Sequence, residues 1–418
     1  MHKKLSIGLF GFGVVGEGLY KVLQQTPSLN ASIKKICIKD KTKNRDAPET
    51  LFTTDQDELL FDNDINVIVE VINDAAAAFK ITATALRNGK DVVSASKKMI
   101  ADNLPEILRL QAETGRSLLY EAAACASIPV IRNLEEYYDN DLLHSIRAIV
   151  NGSTNFILTR IFEDGYSFRE ALLKAQQLGF AETDPRLDVD GHDAVNKWSF
   201  LLTHAYGIVE DPEAILFNGI REIDPVDARL AASRNQEIRL VAQAQKLKDG
   251  RIAAFVLPQF VEKQDHLAFV KDEYNGVVIE SGFADRQFFY GKGAGSFPTA
   301  SAVLSDIAAL RYGYRYEYKK RYHHLPHTIA NDFYLKVYLS FDKTEQIVKE
   351  KFEWIEEWHA SEGRKWLVAV ISYQALVADN WWKQKGVSLI LCPQPVIEEI
   401  STRKIKQRSL ELGMAFAV

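Results

Sequence analysis

The chain has little of what would make it a secreted, fibrous or membrane protein. Three cysteines, Cys37, Cys125 and Cys392, are scattered over 418 residues. An odd, isolated set excludes a disulfide framework and fits a reducing compartment, so a cytoplasmic location is expected. No apolar run nears the ~20 residues that cross a bilayer. The first strand begins at Leu5, so no signal peptide is expected. Neither charge dominates: 51 Lys and Arg stand against 56 Asp and Glu, a net −5. Nothing there pulls the chain toward nucleic acid or an anionic membrane, and neither partner is expected. What remains is 47% apolar and 26% charged, an ordinary globular composition, long enough for two or three domains.

The first feature present is a glycine pattern. Leu5-Ser6-Ile7-Gly8-Leu9-Phe10 reads as a short buried strand, and Gly11, Gly13 and Gly16 follow in G-x-G-x-x-G spacing. A helical pattern through Leu19, Val22 and Leu23 comes next. Strand, glycines and helix in that order are the context of a dinucleotide site. The first glycine allows a tight turn, the second lets backbone approach a pyrophosphate, and the third lets helix and strand pack closely. The second strand, Ile33–Ile38, ends in Lys39-Asp40-Lys41, with Lys43 and Arg45 close behind. This basic cluster favours a 2′-phosphate, hence NADP(H), while Asp40 leaves NAD(H) open.

The most informative stretch is Ala181–Lys197. Glu182, Asp184, Asp188, Asp190, Asp193 and Lys197 crowd one short segment. Pro185 and Gly191 make its first part a loop, and from about Asp190 it reads as a helix with Asp193 and Lys197 four apart on one face. Carboxylates there can hold an ammonium, and the lysine can serve a carboxylate or a carbonyl oxygen, so a small zwitterion is the expected partner. A solvated acidic loop followed by an intrahelical ion pair has the same pattern.

Strands and helices alternate through residue 140, which predicts an α/β fold, a Rossmann-type doubly wound parallel sheet. Strands are expected at Val67–Val71, Asp91–Ser94 and Ser117–Tyr120, with helices at 75–87 and 103–113 and another after Pro129. The pattern then changes to an inserted α+β substrate and dimerisation domain over 141–290. It holds helices near 154–163 and 167–178, a long helix near 226–247, and strands at Ala253–Phe260, Val277–Ser281 and Gln287–Tyr290. Residues 291–320 return to the nucleotide domain. Over 331–418 the expected order is a strand at Asp332–Phe341, a helix at 344–359 with Ile347, Phe352 and Ile355 on one stripe, a strand at Leu367–Ser372, a helix at 374–383, and a strand at Val387–Leu391. The linker histidines His323, His324 and His327 could bind metal, but without Cys or acidic companions beside them in the chain they are read as structural or solvated.

Together these motifs resemble the homoserine dehydrogenase family. The match runs over roughly residues 5–312. It includes the Gly11–Gly16 pattern, Val92-Val93-Ser94-Ala95-Ser96-Lys97, Tyr120-Glu121-Ala122-Ala123, Asn151-Gly152-Ser153-Thr154-Asn155, Gly179–Lys197 and Gly293-Ala294-Gly295. The resemblance implies reduction of L-aspartate 4-semialdehyde to L-homoserine with NAD(P)H, on the way to threonine and methionine. It implies Lys197 as proton donor, Lys97 between nicotinamide and substrate, and Glu182, Asp193, Asp188 and Ser153 around the substrate. It places Phe12, Val14, Val15, Lys39, Asn73, Ser94, Lys97 and Gly295 with the three glycines at the cofactor. It implies a monovalent cation, Na+ or K+, at Glu121 and main-chain oxygens near Ala124, Ala126 and Ile128, and a homodimer or homotetramer.

The chain departs from the family pattern in several places. Ser96 stands for the usual Asn, Asn73-Asp74 for paired glycines, and Ala126-Ser127 for glycines before Ile128-Pro129. The C-terminal order resembles an ACT module, with Asp342-Lys343-Thr344 in place of its usual glycine. Two other classes remain open: a non-catalytic dinucleotide-binding sensor, and an oxidoreductase for a related amino-acid aldehyde.

Overall fold

The computed structural model describes residues 4–360 and 363–400. The chain forms two compact units. Of the described residues, the first holds those within 4–141, 196–212 and 289–326, and the second those within 142–195, 213–288 and 327–400.

The first unit is built on a six-stranded parallel sheet: β1 Leu5–Phe10, β2 Ala31–Cys37, β3 Phe52–Thr53, β4 Val67–Glu70, β5 Asp91–Ser94 and β6 Leu118–Leu119. Their order in space is β3-β2-β1-β4-β5-β6, the doubly wound order whose direction reverses between β1 and β4. All four residues of β4 are buried, as both faces of a parallel sheet require. Asp74 caps the helix Ala75–Arg87, accepting the N–H of Ala77 at 3.0 Å. The helix after β5 starts six residues earlier than its periodicity suggests, at Lys97, and runs to Thr114. Asn103 and Pro105 interrupt its pattern, and Asn103 is where the backbone kinks. After Pro129 the helix is a single turn, Val130–Arg132. The later helix Ser296–Leu310 lies along the helix Val14–Gln24, where the Ser296 hydroxyl donates to the carbonyl of Val14 (2.7 Å).

The second unit holds most of a ten-stranded sheet. Its strands are β7 Leu143–Ile149, β8 Leu216–Phe217, β9 Gln236–Lys246, β10 Ile252–Glu262, β11 Tyr274–Ser281, β12 Asp285–Lys292, β13 Tyr334–Phe341, β14 Phe352–His359, β15 Lys365–Ser372 and β16 Val387–Ile397. Their order is β12-β11-β7-β9-β10-β16-β13-β15-β14, and β8 pairs with β10. Two helical expectations fail here. The one near 226–247 ends as Pro225–Ser233, because Asn235 turns left-handed at φ +57°. β9 follows, paired with β10 along its whole length. Seven consecutive residues of β9 are buried, so the chain shows no alternation to mark it as a strand. The helix expected at 344–359 is two 3₁₀ turns, Thr344–Gln346 and Lys349–Lys351, and then β14. Two of its apolar stripe, Phe352 and Ile355, are aromatic and branched residues that pair with β15, and Ile347 ends the first 3₁₀ turn. The helix expected at 374–383 is the short Tyr373–Val377. Among the described residues the C-terminal strands therefore carry one α-helix, where the sequence pattern predicted two, and the order that resembled an ACT module is not kept. The end of that expected module, 401–418, lies outside the described residues.

Candidate active site

Three glycines shape the turn after β1, each under a different constraint. Gly11 sits at φ +95°, and its N–H bonds the Cys37 carbonyl (3.0 Å). At Gly16 a Cβ would strike the carbonyl oxygen of Gly11. At Gly13 a Cβ would meet nothing within 4 Å, and φ is an ordinary −89°. Packing of the chain on itself therefore does not require glycine at 13. A pyrophosphate against the backbone at the start of the helix Val14–Gln24 does require it, so the turn fits a dinucleotide. Gly16→Ala should cost about 1–3 kcal/mol of stability through overpacking. Gly13→Ala should leave the unfolding temperature unchanged and weaken nucleotide binding. Thermal melts and titration of reduced-nicotinamide fluorescence check the contrast.

A cavity of about 250 Å³ lies at the carboxyl ends of the strands, where the reversal of strand order places ligands in such sheets. Its wall is Val14 and Val15, residues 71–73, Ala95 and Lys97, residues 122–124 with Ala126, Lys197, and residues 293–295 with Thr299. Lys97 opens its helix, and Lys197, 6% exposed, lies on the helix His192–Tyr206. Distant segments of the chain thus bring two lysines to one cavity. Of the expected cofactor residues, Val14, Val15, Asn73, Lys97 and Gly295 line it. Ser94 sits below, fully buried, donating its hydroxyl to Glu70 (2.6 Å) and accepting the N–H of Ser96 (3.0 Å). Glu70 also accepts the N–H of Ile72 (2.8 Å). One buried carboxyl thus ties the loop after β4 to the loop that carries Lys97. Sequence reasoning passed over Glu70, which it held only as part of the strand expected at Val67–Val71.

Burial pushes the Glu70 carboxyl up to about 7. The expected cation residue Glu121 is also buried, and burial with the nearby Asp306 pushes it up to about 8. Its oxygens accept the N–H groups of Ile131 (2.8 Å) and Arg132 (3.0 Å). Asp306 takes the Arg132 guanidinium (2.8 Å) and the Glu121 N–H (2.9 Å), and burial raises it to about 6. Ala126 holds φ +45°, a strained value where the family pattern has glycine. Each of these three carboxyls binds its proton more tightly folded than unfolded. Their contribution to stability is complete below about pH 4 and is lost as pH rises through about 6, 7 and 8. For Glu70 alone this amounts to roughly 3 kcal/mol. Melting temperature should fall between pH 5 and 8.5, and Glu70→Gln should flatten that fall around pH 7.

In the loop after β2, the exposed Lys39 ammonium lies 3.8 Å from Asp74. Asp40 accepts both the N–H (2.8 Å) and the hydroxyl (2.6 Å) of Thr42, and these bonds hold its carboxyl below the usual range. Arg45 donates to the carbonyls of Asp40 (2.6 Å) and Lys43 (2.7 Å) and lies 5.5 Å over the Phe52 ring. The Phe52 ring also meets Phe12 edge-on at 5.2 Å. Asp40 is thus committed to its own turn.

Within the second unit the acidic block is sorted by its partners. Asp184 pairs with Arg186, which lowers its pKa to about 2. Asp190 accepts two bonds from Arg221 (2.7 and 2.9 Å). Those two acids brace the loop. Glu182 is exposed, while Asp188 and Asp193 converge on the side chain of Asn151 (2.7 and 2.8 Å). The Ser153 hydroxyl donates to the Phe180 carbonyl (2.5 Å). Asp193 and Lys197 share the helix His192–Tyr206, one turn apart.

The sheet order, the glycine turn and the cavity define the class: a Rossmann-type dinucleotide-binding protein. Comparison with known proteins supplies the family. Residues 129–308 match the family model described as homoserine dehydrogenase, and residues 11–121 match the homoserine dehydrogenase NAD-binding domain. The Bacillus subtilis homoserine dehydrogenase is 35% identical over 74% of this chain and 73% of its own length. The Lactococcus lactis enzyme is 30% identical over 88% and 92%. A crystal structure of the enzyme from Thiobacillus denitrificans superposes with a TM-score of 0.79 at 25% identity, covering 93% of this chain and 98% of the other. A hyperthermophilic archaeal homoserine dehydrogenase mutant in complex with NADPH gives a TM-score of 0.63 at 28% identity, covering 75% and 100%. The chain belongs to the homoserine dehydrogenase family, NAD(P)-dependent oxidoreductases acting on a CH–OH group. These relatives give no support to a dinucleotide-binding sensor or to an enzyme for a related aldehyde.

Proposed function

We propose that the chain interconverts L-aspartate 4-semialdehyde and L-homoserine in the cytoplasm, with NADP(H) preferred to NAD(H). The observation that carries this reading is the pair of lysines in one cavity, with Asp193 one turn before Lys197 on its helix. The bound nicotinamide supplies or receives the hydride. Glu182, Asp188 and Asp193 hold the substrate ammonium, and the backbone at Ser153 meets the substrate. As hydride adds to the aldehyde carbon, charge builds on the carbonyl oxygen, where Lys97 and Lys197 stabilise it. Lys197 delivers the proton, and in the oxidation direction it takes the proton back.

The basic cluster Lys39, Lys43 and Arg45 after β2 supports the preference for NADP(H), with Asp40 occupied by Thr42. The test is an assay of homoserine oxidation with each cofactor, following reduced nicotinamide. NADP+ should give the higher kcat/KM, and Lys39→Ala should lower it for NADP+ alone. A preference for NAD+ in the parent protein overturns this part. Among the described residues no three His, Cys, Asp or Glu side chains gather as a metal site. A monovalent cation beside Glu121 would be held by the main-chain oxygens of Ala124, Ala126 and Ile128, and replacing NaCl or KCl by a tetramethylammonium salt tests it. A homodimer or homotetramer is proposed, to be measured by light scattering.

A further inference from the structure

Asn151 precedes the helix Gly152–Asp164 and is 4% exposed. Its side chain is used at both ends. The carbonyl oxygen accepts the N–H of Thr154 (2.8 Å) and so caps the helix. The amide nitrogen donates to an oxygen of Asp188 (2.7 Å) and to an oxygen of Asp193 (2.8 Å). An amide NH₂ has two donors, and here each meets a different carboxylate.

The loop that carries these acids is anchored independently. The Ile220 N–H bonds the Val189 carbonyl (2.8 Å), and Arg221 grips Asp190. Gly191, at φ +90°, packs against the backbone of Asn218, where a Cβ would come within 2.9 Å of its carbonyl. The backbone at 188–193 is therefore held by other groups, and Asn151 acts on where the two carboxylates point. Two like charges converging on one point repel each other. A lysine or arginine at 151 would relieve that repulsion but would neutralise both acids and compete with an incoming cation. A neutral amide orients both and leaves both charges in place.

We infer that Asn151 is a positioning residue. It aims Asp188 and Asp193 so that their charge is presented to the α-ammonium of homoserine. This rests on the reading that these acids bind the substrate ammonium. In the sequence Asn151 stands out only as part of the motif Asn151–Asn155, and both its cap and its task toward the two acids follow from the fold.

The test compares Asn151→Asp, Asn151→Ser and Asp193→Asn in the full-length protein. Asp and Ser both cap helices well, so the helix Gly152–Asp164 is retained in either variant. Both lose the two N–H donors. The expected result is a KM for homoserine raised roughly 10-fold or more in Asn151→Ser, the scale of hydrogen bonds to charged groups. Asn151→Asp, which adds a third carboxylate, should be worse. In both, kcat should change much less than KM for homoserine, and KM for the nucleotide should stay at the parent value. If Asp193→Asn raises KM for homoserine and neither Asn151 variant does, the inference is overturned while the reading of the acids stands. If Asp193→Asn leaves KM unchanged, the reading fails and the inference with it. A common fall in melting temperature, kcat and affinity for both substrates marks Asn151 as structural only and also overturns the inference.

Discussion

Lys197→Ala is expected to lower kcat by at least ~100-fold, the low end for a positioned proton donor, while the nucleotide still binds. Lys197 is almost fully buried in the wall of the cavity at the carboxyl edge of the parallel sheet. A buried ammonium there is well placed to meet charge that develops on a substrate oxygen, because the surroundings screen it less than water does. Alanine removes both the proton and the positive charge. The glycine turn lies on a separate segment, so the pyrophosphate contacts should be retained, and quenching or enhancement of nicotinamide fluorescence gives that readout. Lys197→Arg keeps the charge but yields its proton far less readily, and it should restore little of kcat. A purified, folded Lys197→Ala protein with near-normal kcat would assign the proton to another group, and Lys97 on the same cavity is the next to substitute.

Glu182→Gln should raise KM for homoserine by roughly ten- to hundred-fold, the range that a charge-assisted contact of about 1.5–3 kcal/mol covers. Glu182 is exposed, and its carboxylate makes no hydrogen bond or ion pair among the described residues. Asp184 and Asp190, its neighbours in the block, are taken up by Arg186 and Arg221. A carboxylate left out of such pairing in a braced loop can give its charge to a ligand. KM for the nucleotide should not move. An unchanged KM for homoserine combined with weaker nucleotide binding would place Glu182 away from the substrate ammonium.

Which acids were for structure and which for substrate was not legible in the chain. Five acids in one segment look alike until Arg186 and Arg221 are seen to claim two of them. Asn151 illustrates the same limit, since its amide meets two acids from a later part of the sequence. Glu70 was missed because a single carboxyl at a strand end carries no spacing signal, and its bond to Ser94 forms across neighbouring strands.

The sequence by itself determined what depends on short-range geometry. The order strand, Gly11-x-Gly13-x-x-Gly16, helix admits few backbone paths, and alternation through residue 140 leaves a parallel sheet as the economical way to bury both faces. Asp193 and Lys197 share one face because a helix returns to the same face after four residues. Tertiary structure decided what depends on partners distant in the chain. β9 is a strand because β10 pairs with its full length, although its buried run reads equally as a helix. β14 is a strand because β15 offers its hydrogen bonds to residues 352–359. Lys97 and Lys197 share a cavity because their separate segments fold into one unit. Local propensity amounts to tenths of a kcal/mol per residue, and burial and pairing against a distant segment outweigh it wherever the two disagree.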